Sequence, residues 1–192
     1  MKDRIAVLIT GASGSIYGYR ALEMLSVNYD VHSVISSSAL VVMRHELGVE
    51  LKDLRERFPK VTFHNEKDLT SPLASGSYLT GTKAVLVMPC STSTLGSVAC
   101  GVNITLIHRV CEVALKERVK LIMLVREMPY SRIHLENMLR LTDAGAIIVP
   151  ASPAFYHRPR SVEDMIDFVV GKVFDLIPVS HELYNRWRGG EK

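Results

Sequence analysis

"LITGASGSIYG", residues Leu8 to Gly18, is the stretch on which the fold turns. An apolar run, Ile5 to Ile9, leads into it and a helical pattern leaves it, so it reads as strand, tight turn and helix start. Its glycines permit positive φ and close backbone approach, and the N–H groups at the helix start attract an anion. The details set the ligand. A dinucleotide fingerprint is G-x-G-x-x-G, but here the glycines fall at 11, 14 and 18. The short-chain dehydrogenase pattern T-G-x-x-x-G-x-G fails as well, because Ser15 and Tyr17 occupy its later glycines, and no Tyr-x-x-x-Lys pair exists in the chain. The next strand candidate ends in Ser36-Ser37-Ser38 and offers no acid for an NAD ribose.

Working outward, short apolar runs alternate with longer helical patterns. Strand candidates are Ile5 to Ile9, Asp30 to Ile35, Ala84 to Met88, Leu121 to Val125 and Ala146 to Val149, nearly all apolar, as strands covered on both faces are. Helical spacing recurs in Leu106, Val110, Val113 and Ala114, and again in Ile133, Leu135, Met138 and Leu139. A third set, Val162, Met165, Ile166, Val169 and Val173, follows Ser161 with Asp164 three residues on, a capping-box start. The alternation predicts a single-domain α/β fold: a doubly wound, Rossmann- or flavodoxin-like parallel sheet with helices on both faces. The polar segment Lys52 to Ser77 is the least regular part and is expected to be mobile until a ligand or neighbouring subunit meets it.

At 192 residues, with 47% hydrophobic and 22% charged side chains and a net charge of +3, the chain suffices for one buried domain. No dense Lys/Arg run supports a nucleic-acid or membrane-surface role. Cys90, Cys100 and Cys111 fit neither a disulfide framework nor a C-x-x-C site, which points to a reducing compartment. No apolar run approaches the ~18 residues of a membrane span. The first strand candidate begins so close to Met1 that no signal or transit peptide fits ahead of it, and the expectation is a cytoplasmic protein.

Ligands of such sheets bind beyond the carboxyl ends of the strands. After the third strand candidate stands Pro89-Cys90-Ser91-Thr92-Ser93-Thr94, whose consecutive hydroxyls can cap a helix and donate to a phosphate or a polar ring edge. After the fourth come Arg126-Glu127-Met128-Pro129, and after the fifth Ala154-Phe155-Tyr156-His157-Arg158-Pro159. Cys90 has no His or Asp nearby in sequence to make it a nucleophile, and the seven histidines show no metal-ligand spacing.

Together these segments resemble the flavin prenyltransferases of the UbiX type, within the wider group of flavin-binding decarboxylase-like proteins. The resemblance runs nearly end to end: TGASGSIYG; SPLASGS at Ser71 to Ser77; PCSTSTL at Pro89 to Leu95; VALKER at Val113 to Arg118; VREMP at Val125 to Pro129; HLENMLRL at His134 to Leu141; and PAFYHRP at Pro153 to Pro159. It implies an enzyme that joins the dimethylallyl group of dimethylallyl monophosphate to N5 and C6 of reduced FMN. The prenylated FMN would pass to a UbiD-type decarboxylase. Carried over by position, Gly11, Ala12, Ser13, Ser36, Ser91, Thr92, Ser93, Thr94 and Arg126 would hold FMN. Lys116, Arg126, Tyr156 and Lys172 would hold the prenyl phosphate, with Arg109 nearby and Trp187 closing over the site. Ser13, Glu46 and Glu127 match catalytic positions.

The resemblance further implies a homo-oligomer, a dodecamer with sites shared between subunits. It divides the chain into a flavin-binding domain, 1–178, and a C-terminal tail, 179–192, that completes a site on its own or a neighbouring subunit. The cations would neutralise the leaving phosphate without a metal. Either Glu127 or the released phosphate would take the final proton, and the donor is open between monophosphate and diphosphate. A cysteine decarboxylase of related fold and a non-catalytic flavin carrier are the rival readings. The former carries P-x-A-N-T where this chain has PCSTST.

Overall fold

The apolar runs become five of the six parallel strands of one sheet, in which the strands, numbered along the chain, lie in the order third, second, first, fourth, fifth, sixth. They are β1 (Arg4–Ile9), β2 (Asp30–Ile35), β3 (Thr62–His64), β4 (Thr82–Cys90), β5 (Leu121–Val125) and β6 (Ile147–Pro150). The computed structural model describes residues 2–187 and 189, so Met1, residue 188 and residues 190–192 of the expected tail lie outside the described residues. The chain order reverses between β1 and β4, which makes their carboxyl ends the switch point where doubly wound sheets take ligands.

Each face of the sheet carries its own apolar core. On one, Ile5, Val7 and Ile9 meet α1 (Ser15–Leu25), α2 (Ser37–Leu47), α3 (Leu51–Arg57) and α8 (Val162–Phe174). On the other, Ala6 and Leu8 meet α4 (Gly76–Leu79), α5 (Thr92–Ala99), α6 (Leu106–Lys116) and the end of α7 (Arg132–Asp143). Alternate residues of one strand thus serve opposite cores, which is why the strands are apolar without alternation. Ser161 caps α8 through the expected reciprocal bonds with Asp164.

Several expectations need correction. The strand expected at Ala84 to Met88 runs from Thr82 to Cys90, and that expected at Ala146 to Val149 is displaced by one residue, because pairing to neighbours carries the ladder beyond the apolar core. The segment Lys52 to Ser77 is packed, and holds most of α3, the edge strand β3 and a 3₁₀ turn at Pro72–Ala74. Its apolar residues anchor it: Leu54 and Leu73 are completely buried, and Phe58 and Val61 nearly so. Polar bonds secure it further, with His64 bonded to His32 at 2.8 Å and to the Ser71 hydroxyl at 2.8 Å. The apolar set of α7 is a helix as expected, yet Ile133, Leu135 and Leu139 face outward, more than half exposed.

Candidate functional site

Thr10 ties the two loops of the switch point together. Its hydroxyl donates to the Pro89 carbonyl at 2.8 Å and accepts the Ser91 N–H at 2.7 Å, while its own N–H reaches the Pro89 carbonyl at 3.2 Å. Thr10 lies inside the quoted stretch but carries no ligand-binding pattern, so its role shows only once β1 and β4 are neighbours. Gly11 follows, pressed against the start of α2: a Cβ there would lie 2.4 Å from the Ser38 hydroxyl oxygen. Ala12 is buried and Ser13 exposed at the rim.

Helices α1, α2 and α5 follow the ends of β1, β2 and β4, and the N–H groups of these three starts are used differently. At α1, Gly14 takes the left-handed conformation (φ 93°) with no side-chain cap of its own. The Glu46 carboxylate, projecting from α2, fills that role. It accepts the N–H of Gly14 at 3.0 Å and of Ser15 at 2.9 Å, plus the Ser15 hydroxyl at 2.7 Å. Partial burial pushes the Glu46 pKa upward, but bonds from Ser13, Ser15 and the two backbone N–H groups outweigh it and hold the carboxyl below its ordinary value. The anion expected at the first helix start is therefore a side chain of this protein. At α2, the Ser36 hydroxyl caps Ala39 at 3.1 Å and Glu66 accepts the Ser37 N–H at 2.9 Å. Glu66 was invisible in the sequence because it lies in the segment that has no periodic pattern.

The start of α5 is the one without a carboxylate, among the described residues. Ser91 caps it, accepting the Thr94 N–H at 3.2 Å, and its hydroxyl donates to the Thr94 hydroxyl at 3.1 Å. Thr92 and Ser93 stand on the first turn, with backbone donors directed outward as at any helix start. Arg126, following β5, is bonded through its backbone to Cys90 just ahead of this turn and spans to the loop after β1: its Nε donates to the Ser13 carbonyl at 3.0 Å. Among the described residues its two terminal nitrogens hold no partner. Next to it, Glu127 accepts the Met128 N–H at 3.0 Å. Backbone bonds from Arg126 to Cys90 and from Ala151 to Val125 fix the spacing of the loops.

Of the expected prenyl-phosphate residues Arg126 belongs to this cluster, whereas Lys116 does not join it within one chain. Lys116 ends α6 and pairs with Glu117, next to Gly76, at the amino edge of the sheet. Arg126 stands at the carboxyl edge, across the five residues of β5, which is about 16 Å of strand. Arg109 is engaged with Glu112 at 2.6 Å and with the Ala74 carbonyl at 3.3 Å. Lys172 lies near the end of α8, 3.6 Å from Asp175. Tyr156 and Trp187 meet edge to face, ring centroids 6.1 Å apart, beside a cleft of about 970 Å³ that also takes in His157 and Tyr184. Cys90 and Cys111 are completely buried, and burial pushes the Cys90 thiol well up and the Cys111 thiol to about 12, so neither is a nucleophile at neutral pH.

Fold and loops together define a doubly wound α/β protein with a cationic, hydroxyl-lined switch point. The chain belongs to the Flavoprotein family, whose model matches residues 1–174, and within it to the UbiX flavin prenyltransferases. It is 54% identical over 188 residues to the flavin prenyltransferase UbiX of Aquifex aeolicus, covering 97% of this chain and all of the relative. A solved structure of AnUbiX (PadA1) in complex with FMN and dimethylallyl pyrophosphate superposes with TM-score 0.94 at 38% identity and covers both chains fully. A dodecameric FMN-dependent UbiX-like decarboxylase from Escherichia coli O157:H7 gives TM-score 0.91 at 36% identity, over 97% of this chain and all of the other.

Proposed function

We propose that this protein is a flavin prenyltransferase that transfers a dimethylallyl group from dimethylallyl monophosphate to N5 and C6 of reduced FMN, for use by a UbiD-type decarboxylase. The observation that carries the reading is the switch point: Arg126, anchored on the Ser13 carbonyl, beside an α5 start that holds hydroxyls and no carboxylate. These residues suit FMN. The α5 donors and the Arg126 guanidinium match a phosphate, whereas the α1 and α2 starts already hold Glu46 and Glu66. Gly11, with no side chain, lets this loop pack directly on Ser38 at the start of α2.

Reduced FMN supplies the electron-rich ring that accepts the prenyl group. This chain's part is to hold the two ligands together and neutralise the departing phosphate. Arg126 serves both ligands, and Lys116, Lys172 and Tyr156 complete the phosphate cradle. Because Lys116 and Arg126 lie at opposite edges of the sheet, the cradle is assembled between copies of the chain. The outward apolar residues Ile133, Leu135 and Leu139 of α7 favour such an assembly, and the dodecameric relative is its natural form. Residues beyond 178 then act as a tail that completes a site. Glu127, which follows Arg126 in the loop after β5, or the released phosphate takes the final proton.

We place the protein in the cytoplasm, on the strength of its buried free thiols Cys90 and Cys111. No helix among the described residues is long and apolar enough to cross a membrane. The deciding experiment is anaerobic incubation with reduced FMN and either dimethylallyl monophosphate or diphosphate, followed by mass and absorption spectra of the flavin. The expected result is a mass gain of one prenyl unit with the monophosphate. Unmodified FMN with both donors would leave the protein a flavin carrier.

A further inference from the structure

Asp175 is misplaced for its own helix. It caps the carboxyl end of α8, where the helix dipole disfavours a negative charge. Its surroundings supply the reason. His181 Nε2 donates to its Oδ1 at 3.0 Å, the Tyr184 hydroxyl donates to Oδ2, Arg186 donates to Oδ1, and Lys172 Nζ lies 3.6 Å from Oδ2. Three of these four groups come from the segment after the last helix. His181 is itself inaccessible, its side chain 1% exposed, and its Nδ1 accepts the Leu183 N–H at 3.3 Å, which fixes the proton on Nε2.

The docking is prepared on the helix side as well. A Cβ at Gly171 would lie 2.6 Å from the Tyr184 ring, so the missing side chain is what allows the ring to lie on α8. Tyr184 then packs 4.9 Å from Phe168, and Arg186 stacks 5.5 Å over Tyr184. Held in this way, the segment turns back along α8 and brings Trp187 against Tyr156. Burial alone would raise the Asp175 pKa, but the bonds from Arg186, Tyr184 and His181 prevail and bring it to about 2, so the carboxylate stays charged at any working pH.

We infer that Asp175 is a positioning residue of the prenyl-phosphate site: by gathering His181, Tyr184 and Arg186 it docks the 181–187 segment, presents Trp187 to Tyr156 and orients Lys172. The inference rests on the reading of Tyr156, Lys172 and Trp187 given above. It touches neither FMN nor the phosphate itself, so its signature is a loss of prenyl-donor affinity with flavin binding retained.

Trp187 is the single tryptophan of the chain, and its emission reports the docking directly. In the full-length assembled enzyme, Asp175→Asn is expected to red-shift that emission and make it more open to acrylamide quenching. It is also expected to raise KM for dimethylallyl monophosphate on the order of tenfold, with kcat and the FMN Kd changed by less than about threefold. Asp175→Glu should restore part of the KM. If Asp175→Asn does not fold, Arg186→Gln removes one exposed arm of the same cluster and should move emission and KM in the same direction. Unmoved Trp187 emission in these variants, or moved emission with unmoved KM, overturns the inference. Should the wild type leave FMN unmodified, the reading of the site falls, while the emission still decides whether Asp175 docks the segment.

Discussion

Glu46 shows how one side chain can fix the chemistry of a loop. Its carboxylate accepts the Gly14 and Ser15 N–H groups at the start of α1, so the TGASG turn is stiffened by an internal anion and not by a ligand's phosphate. Ser13→Ala removes the hydroxyl beside Glu46, a contact worth about 1 kcal/mol, and leaves the bonds of Gly14 and Ser15 and the fold in place. FMN should still bind, with prenyl transfer slowed; a variant that turns over at the wild-type rate would take Ser13 out of the reaction. The depressed Glu46 pKa carries a pH dependence with a definite sign. The stabilisation from ionised Glu46 is complete above its ordinary value of 4.5 and declines as pH falls through its lowered value in the folded protein. Denaturation midpoints of wild type and Glu46→Gln should therefore differ at neutral pH and converge towards strongly acid pH.

At the scale of elements, the contact between α1 and β4 sets the distance between the loops of the site. Gly18 sits where the helix crosses the strand, and a Cβ added there would lie 2.3 Å from the Met88 carbonyl oxygen and 2.7 Å from Ile9 Cδ1. Gly18 thus performs the packing task of the last glycine in a dinucleotide fingerprint, although the spacing differs from that fingerprint. Backbone cannot yield as a flexible side chain can. Gly18→Ala should cost about 1–3 kcal/mol despite its better helix propensity, read as a lower urea midpoint, and it should weaken FMN binding by displacing the Ser13 loop. An unchanged midpoint would mean that α1 can slide without consequence.

The whole molecule has to solve a problem that one chain leaves open, since Lys116 and Arg126 stand at opposite edges of the sheet. Lys116→Ala and Arg126→Ala are each expected to cost on the order of 2 to 4 kcal/mol of transition-state stabilisation, the scale of a lost preorganised donor. Only Arg126→Ala should also weaken FMN. If sites are shared, oligomers assembled from a mixture of the two variants should regain a fraction of wild-type activity, because some sites then receive an intact residue from each parent. Absence of recovery in verified mixed oligomers would argue against the shared cradle. Three cations facing the roughly two negative charges of a phosphate monoester also predict turnover that persists in excess EDTA, and rescue by Mg²⁺ of an EDTA-inactivated enzyme would contradict it.

Much of this protein was legible from its sequence because local pattern and local chemistry coincide there. Apolar runs name five of the six strands, and the alternation with helices names the doubly wound fold. The loops after β1, β4 and β5 are continuous stretches, so TGASGSIYG, PCSTST and VREMP could be read as they stand. What the sequence could not display was anything made by residues distant along the chain. β3 is a three-residue edge strand whose identity comes from pairing with β2. Glu46 reaches a helix start some thirty residues away, Thr10 joins two loops, and Asp175 collects a segment that has no periodicity of its own. The sequence also implied one cationic cradle where the tertiary structure separates its members. Hydrophobic periodicity and turn chemistry act over a few residues and can be read along the chain; hydrogen bonds and charges act through space, and only the folded chain decides which of them meet.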